Sequence, residues 1–416
     1  MLINKKKIMI LGAGVYQVPL IKKAKEMGLS PIVVSMPGKY PGIPLADIFL
    51  DIDTTDENRI LQAARKYSIS GIVTTGTDVC MLSLGKVVDE LGLHGTGYEA
   101  ARRSVDKALM KKVFLENSVP TAVFKMFTSV EKGKKFADQL GYPVMVKVTD
   151  SSGSRGITKV KSADDFQFAW ERAHAVSRSR QIIVEQFFEG IEYGAQAFVH
   201  GDKVVAVFPH NDTVTPAPYF SPIGHSMPSL LTEEIQEKTA SVIAQAVRAL
   251  GVRDCVSNFD MMLVENEPII IEIGARMGAT CLPENVSIYT GMNAYEHLIL
   301  LALGDHQEIQ VSAKQANASL LLRSDKTGKV ASLEVPDEVL KHTDVVDFQW
   351  DVAIGDTVSA FQVGPDRIGH IIVKATSAMA AEELVQRLAN AIKVKVVEHG
   401  QVSQKPCIMS SGQCPN

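Results

Sequence analysis

Apolar residues recur along this chain at two spacings, and the alternation between them lays out its elements. Over residues 1 to about 100, short apolar runs bounded by Gly, Pro and Asp alternate with segments of helical spacing. Lys7–Leu11, Pro31–Ser35, Asp47–Asp51 and Gly71–Thr75 read as strands. Pro19–Met27, Glu57–Tyr67 and a segment ending at Leu91 read as helices. This is the doubly wound α/β pattern, in which ligands sit at the carboxyl ends of the strands.

A second, mixed α/β unit follows over residues 101–310. Its strand-like runs are Val144–Val148, Gly156–Val160, Ile182–Gln186, Tyr193–His200 and Lys203–Phe208. The helix Thr232–Leu250 opens on Thr232-Glu233-Glu234-Ile235, a capped start with an acidic first turn. Residues 311–416 read as a smaller α+β unit, with strands at Ala318–Arg323, Lys329–Glu334, Val345–Val352 and His370–Lys374 and a helix at Ala378–Ala391. The polar stretch after His399 is expected to fray. Residues 209–228 read as a long loop with three interior prolines and one more at each end, and loops of that length are usually functional or disordered.

Composition narrows the class. The chain has 416 residues, 46% hydrophobic and 22% charged, an ordinary globular profile for two or three domains. A net charge of −4 offers no electrostatic reason to bind nucleic acid or an anionic membrane. No apolar stretch approaches the roughly 18–20 residues of a membrane span. The five cysteines lack metal or disulfide spacing, and the apolar run Ile8–Val15 is interrupted by glycines with no cleavage site after it, unlike a signal peptide, so a reducing cytoplasm is expected. The Gly12-Ala13-Gly14 turn has two glycines of a dinucleotide fingerprint, but Gln17 stands in the place of the third. Ser35-Met36-Pro37-Gly38 supplies no ribose-binding acid, so NAD is disfavoured.

The densest chemistry lies near residue 266. Phe259–Val264 and Ile269–Ile273 read as two strands joined by the turn Glu265-Asn266-Glu267-Pro268. Folded about Asn266, they put Asp260 opposite Glu272, and cross-strand neighbours sit roughly 5 Å apart. Two hard oxygen ligands beside Arg276 suit Mg²⁺ and phosphate. Upstream, Lys147 lies near the end of the strand Tyr142–Val148, which is followed by Asp150-Ser151-Ser152-Gly153-Ser154-Arg155-Gly156. A small, hydroxyl- and glycine-rich loop lets backbone N–H groups approach a polyphosphate. Ile182–Gln186 is an apolar strand running into Phe187, Glu189 and Glu192, and such a strand end can meet an adenine edge and ribose hydroxyls.

Lys107, Lys147 with its Ser/Gly loop, Glu185…Glu189-Gly190-x-Glu192 and Asp260…Glu272-x-x-x-Arg276 come in the order of the ATP-grasp superfamily. The chain resembles its carboxylate–amine ligases, those related to L-amino acid ligases, biotin carboxylase and the carbamoyl phosphate synthetase large subunit. The resemblance covers roughly residues 1–310. It implies an α/β and α+β fold: a Rossmann-like pre-ATP-grasp domain over 1–100, an ATP-grasp domain over 101–310 with a flap at about 120–190, and a C-terminal α+β domain over 311–416. It implies ATP with one or two Mg²⁺ ions as cofactors. Lys107 and Lys147 would contact the phosphates, and Ser151, Ser152, Gly153 and Ser154 would close over them. Glu185 and Phe187 would lie at the adenine hinge, and Glu192 would hold ribose. Asp260 and Glu272 would bind Mg²⁺, and Arg276 would neutralise the transferring phosphate or grip a substrate carboxylate. Many relatives have Asn two residues after the second metal acid, where this chain has Gly274.

The activity implied is ligation. A small carboxylate is activated as an acyl phosphate, and an amine then attacks. The partners are therefore small-molecule carboxylate and amine substrates, without nucleic acid or membrane, and by analogy with relatives a homodimer. Residues 209–228 and the Ser/Gly loop are the candidate lids. His225 is a candidate base for the amine, with a structural histidine bonded to backbone as the alternative. Two other readings stay open: a bicarbonate-activating carboxylase, and a nucleotide-binding regulatory protein without turnover, which Gly274 favours.

Overall fold

The computed structural model describes residues 5–148, 156–216 and 221–398. The first hundred residues build a parallel sheet of β1 (Lys7–Leu11), β2 (Ser30–Ser35), β3 (Ile48–Asp51) and β4 (Gly71–Val73), ordered β3-β2-β1-β4. Ile8–Leu11 and Ile32–Val34 are completely buried, as strands covered on both faces must be. The strand order reverses between β1 and β4, so a crevice opens beyond their carboxyl ends. The glycine turn after β1 is plugged from within. The Gln17 side chain accepts from Gly14 N at 2.9 Å and donates to the Thr75 carbonyl at 2.6 Å. The amide that would face a pyrophosphate is thus already bonded to Gln17.

A four-stranded antiparallel sheet follows: β5 (Phe124–Phe127), β6 (Val144–Val148), β7 (Thr158–Val160) and β8 (Ile182–Gln186), ordered β5-β8-β6-β7. The helices Val130–Leu140 and Phe166–Val176 pack on it through Phe136, Phe166 and Trp170 over Val146 and Val184. This small separate core lies within the expected flap. Ser151, Ser152, Gly153 and Ser154 lie outside the described residues.

The largest sheet has eight strands: β9 (Ile191–His200), β10 (Lys203–Val214), β11 (Pro222–Met227), β12 (Cys255–Val264), β13 (Glu267–Gly274), β14 (Asn317–Leu322), β16 (Val345–Trp350) and β18 (Gly369–Lys374). Their order is β13-β12-β9-β10-β11-β14-β18-β16. The helix Glu233–Leu250 covers it with Ile235, Ile243, Ala246, Val247 and Leu250, and Thr232 caps its start. Residues 209–228 are corrected here: most of the expected loop is strand. β10 continues to Val214 and β11 resumes at Pro222. Among the described residues, β10 has only β9 beside it before Asn211, so Pro209 lies on a stretch with one neighbour, and Pro222 opens its strand. Residues 217–220 lie outside the described set.

Beyond residue 310 the same sheet gains β14, β18 and β16. The remaining β15 (Gly328–Glu334), β17 (Thr357–Val358) and β19 (Lys393–Val397) form a three-stranded sheet. Leu320, Val330, Ile371 and Val385 make a core of their own there. Among the described residues, no helix is long and apolar enough to cross a membrane.

Candidate active site

β12 and β13 turn over in two residues, Glu265 and Asn266, both left-handed at φ 50° and 66°. Val264 pairs with Glu267, so a regular ladder would put Asp260 opposite residue 271. A bulge between Asp260 and Met261 shifts the register by one, and Asp260 faces Glu272 as expected. Across the next strands the same row continues through Gly194 to His210. The His210 ring lies over Gly194, and any Cβ there would overlap it.

Asp260 is exposed, yet its carboxyl sits beside Glu272 among closely packed protein groups. The crowding and the charge of Glu272 push its carboxyl up to about 7. Asn258 donates to Asp260 Oδ1 at 3.0 Å and accepts from Gln196 at 2.6 Å. Gln196 in turn accepts from Gly278 N at 2.9 Å. This chain of bonds fixes the first acid against the Gly-rich loop. Glu272 is paired with Lys107, whose charge outweighs burial and holds the acid below the usual carboxylate range. Two carboxylates of which one is driven to hold a proton form a site short of positive charge, which a hard divalent cation would supply.

The lysines gather around a buried acid. Glu185 is 2% exposed and pairs with both Lys147 and Lys111, the latter at 3.0 Å. Their two positive charges overcome the penalty of burial and lower Glu185 to about 2. The Glu185 side chain therefore holds lysines, and its place at an adenine hinge rests on backbone alone. Lys111 was missed by sequence reasoning. It follows Lys107 by four residues on the helix Lys107–Glu116, and that spacing on one face was the available signal. Phe187 is half-buried with the Lys159 Nζ 3.7 Å from its ring centre. Glu192 lies two residues before Gly194 and so on the cleft face of β9.

Arg276 donates to Asp78 Oδ2 at 2.6 Å. Asp78 comes from the loop after β4, at the crevice where the strand order reverses. It too was missed: its partner is 198 residues away, and only its place at a strand's carboxyl end pointed to it. Among the described residues, Arg276 Nε and Asp78 Oδ1 are buried without a hydrogen-bond partner. A side chain at position 274 would press within 3.0 Å of both Arg276 and Asp78, so the glycine makes room for this pair.

His225 is buried and bonded to a carboxylate, not to backbone. Its Nδ1 lies 2.6 Å from Asp212 Oδ1, which His210 Nδ1 meets at 2.8 Å. The two imidazoles hold Asp212 well below the carboxylate range. Burial lowers His225, so a neutral ring with Nδ1–H towards Asp212 and a lone pair on Nε2 is favoured. Cys281 is buried, and its thiol is raised well above the usual value, as an inert small residue would be.

Comparisons with known proteins identify the fold and the family. Residues 140–284 match the model of the ATP-grasp domain, and residues 320–397 match L-amino acid ligase C-terminal domain 2. The crystal structure of phosphoribosylglycinamide synthetase from Anaerococcus prevotii is 30% identical, with a TM-score of 0.79 over 95% of this chain and 100% of that one. L-amino acid ligase from Bacillus licheniformis superimposes with a TM-score of 0.81 at 18% identity, over 95% of this chain and 99% of that one, which is likeness of fold. Alanine–anticapsin ligase of Bacillus subtilis (strain 168) is 26% identical over 265 residues, 58% of this chain and 55% of that protein. The chain belongs to the ATP-grasp superfamily and is an ATP-dependent ligase of the carbon–nitrogen-bond-forming kind.

Proposed function

We propose that this ligase activates the carboxylate of an amino acid as an acyl phosphate and joins it to a second amine, with residues 1–100, 101–310 and 311–416 as its working units. The observation that carries the amino-acid reading is the Arg276–Asp78 pair. A guanidinium presents donors to a carboxylate in bidentate fashion, and an acid beside it can accept from an α-ammonium. A zwitterion supplies both, a carboxylate for Arg276 and an ammonium for Asp78. Bicarbonate has no ammonium for Asp78, so a carboxylase leaves that acid only the placing of Arg276.

The residues fit ATP with Mg²⁺. In this reading Asp260 and Glu272 hold the metal, which would supply charge neutralisation at the transferring phosphate. Lys107 and Lys147 place point charges at the phosphates, Phe187 lies at the adenine edge, and Glu192 reaches ribose. Arg276 holds the carboxylate in line for transfer. The Asp212–His225 contact fixes the tautomer that leaves Nε2 able to accept a proton from the attacking amine. An acyl phosphate must be kept from water; Ser151, Ser152, Gly153 and Ser154 are assigned to that cover. Gly274 does not argue for a binder without turnover, since its space is used by the substrate pair.

The test is phosphate release from ATP and Mg²⁺ against amino acids and sugar acids, singly and in pairs, with product masses. Release that requires an amino acid plus an amine, with an amide product, supports the reading. Release driven by bicarbonate, or none while ATP binds, rejects it.

A further inference from the structure

Two of the chain's ten histidines meet one aspartate, with two more stacked behind them, away from the site above. His94 lies on the connection after the helix Met81–Leu91, Asp254 stands immediately before β12, and His306 follows the helix Ala294–Ala302. His200 ends β9, and His297 lies within that last helix. Asp254 is six residues from Asp260 along extended chain, roughly 20 Å at 3.3 Å per residue.

The aspartate is anchored by backbone. It holds a left-handed conformation at φ 41°, uncommon outside glycine though tolerated by Asp. Its N–H donates to the Gly201 carbonyl at 3.1 Å, and its Oδ1 accepts from Gly201 N at 2.5 Å. Its side chain is 6% exposed, while those of His94 and His306 are 51% and 37% exposed, so the group opens to solvent on the histidine side. His94 Nδ1 lies 3.3 Å from Oδ2 and His306 Nε2 lies 2.7 Å from Oδ1. One donor atom from each of the three falls within 4.8 Å of the other two.

Behind them stands a column of rings. His306 stacks on His200 at 5.3 Å, and His200 stacks on His297 at 5.2 Å. The His200 and His297 Nε2 atoms are 3.0 Å apart, so one donates and the other accepts. The stacked rings fix the face of His306.

We propose that His94, Asp254 and His306 form a binding site for a divalent transition-metal ion of the zinc class. Two imidazoles and one carboxylate are a donor set for Zn²⁺, whereas Mg²⁺ prefers oxygen alone. Donors at about 2.1 Å from a tetrahedral ion are roughly 3.4 Å apart, so shifts of about an ångström in two exposed rings close the set. On binding, each ring places its lone pair where its N–H faced Asp254 and carries the proton on its other nitrogen, so a neutral ring releases none. The ion would tie the loop after Met81–Leu91 to the start of β12 and to the end of Ala294–Ala302, three segments far apart in sequence.

The experiment uses the full chain stripped with a chelator, then equilibrium dialysis against Zn²⁺ with elemental analysis, and thermal unfolding with Zn²⁺ or with Mg²⁺. One bound equivalent is expected, with a Tm that rises with Zn²⁺ and not with the same concentration of Mg²⁺. His94→Ala and His306→Ala should each weaken Zn²⁺ binding by about tenfold or more, the loss already usual for removing a group that merely orients a ligand. Because both rings are partly exposed, the metal-free Tm of each variant should stay near that of the unchanged protein. Asp254→Asn, which keeps the Gly201 bond, should also lose the ion. No zinc binding, or binding that persists in the double variant His94→Ala/His306→Ala, overturns the proposal; the latter would place the ion elsewhere, as at His210, Asp212 and His225. None of these readouts depends on ligase activity.

Discussion

Asp78→Asn tests the zwitterion pocket. The substitution keeps the side chain's shape and removes the charge that faces Arg276 at 2.6 Å. A hydrogen bond to a charged group contributes about 1.5–3 kcal/mol, or roughly 10- to 150-fold in kcat/KM. Asp78 is 34% exposed and Arg276 15%, so water screens the acid and the lower end applies, roughly 10- to 30-fold. The assay compares kcat/KM for the preferred amino acid with that for the same acid lacking its α-amino group. The account predicts the full loss for the amino acid and a loss under about threefold for the des-amino acid, whose carboxylate still meets Arg276. Equal losses for both would refute the assignment, because Asp78 would then act only by placing Arg276. No loss for either would remove Asp78 from the site.

The metal acids and lysines make further predictions. Glu272→Ala should abolish turnover while leaving Tm within a few degrees, since the side chain is 38% exposed in the cleft; normal turnover would sink the metal assignment. Lys111→Met leaves buried Glu185 with one lysine and should destabilise the fold by about 3 kcal/mol in urea unfolding, the low end for breaking a buried pair. Glu185 is lowered to about 2, so its contribution is present above its unfolded value of 4.5 and is lost as pH falls from there towards 2. In the variant, stability should fall less over that range. Asp260 is raised from 3.8 to about 7, the opposite sign: without metal, its contribution is present below pH 3.8 and is lost as pH rises towards 7. Mg²⁺ competes with that proton, so the Tm gain from Mg²⁺ should be larger at pH 8 than at pH 5.5, and a gain independent of pH would contradict the pairing of Asp260 with Glu272.

The order of elements was legible because apolar period and turn residues agree over most of the chain: the helices Glu57–Tyr67 and Ala378–Ala391 fall where their spacing puts them. The facing acids were legible from strand alternation, but the route was not. The tight turn at Glu265 and Asn266 and the compensating bulge both act on register, and neither has a marker in residue type. The prolines of 209–228 signal a loop, and what they could not reveal is that Pro209 lies where β10 has a single strand neighbour. Lys147 and Glu185 were singled out for separate roles, and only the fold pairs them and adds Lys111. Asp78 and Arg276 are joined by tertiary packing across the chain, which no local pattern encodes.

The account rests on carboxylate activation through phosphate, and oxygen transfer tests that most directly. An amino acid labelled with ¹⁸O in its carboxylate is turned over with ATP, Mg²⁺ and the accepting amine, and the released phosphate is weighed by mass spectrometry. An acyl phosphate predicts one ¹⁸O atom in each phosphate formed and one fewer in the amide product. Unlabelled phosphate beside a labelled amide would contradict it.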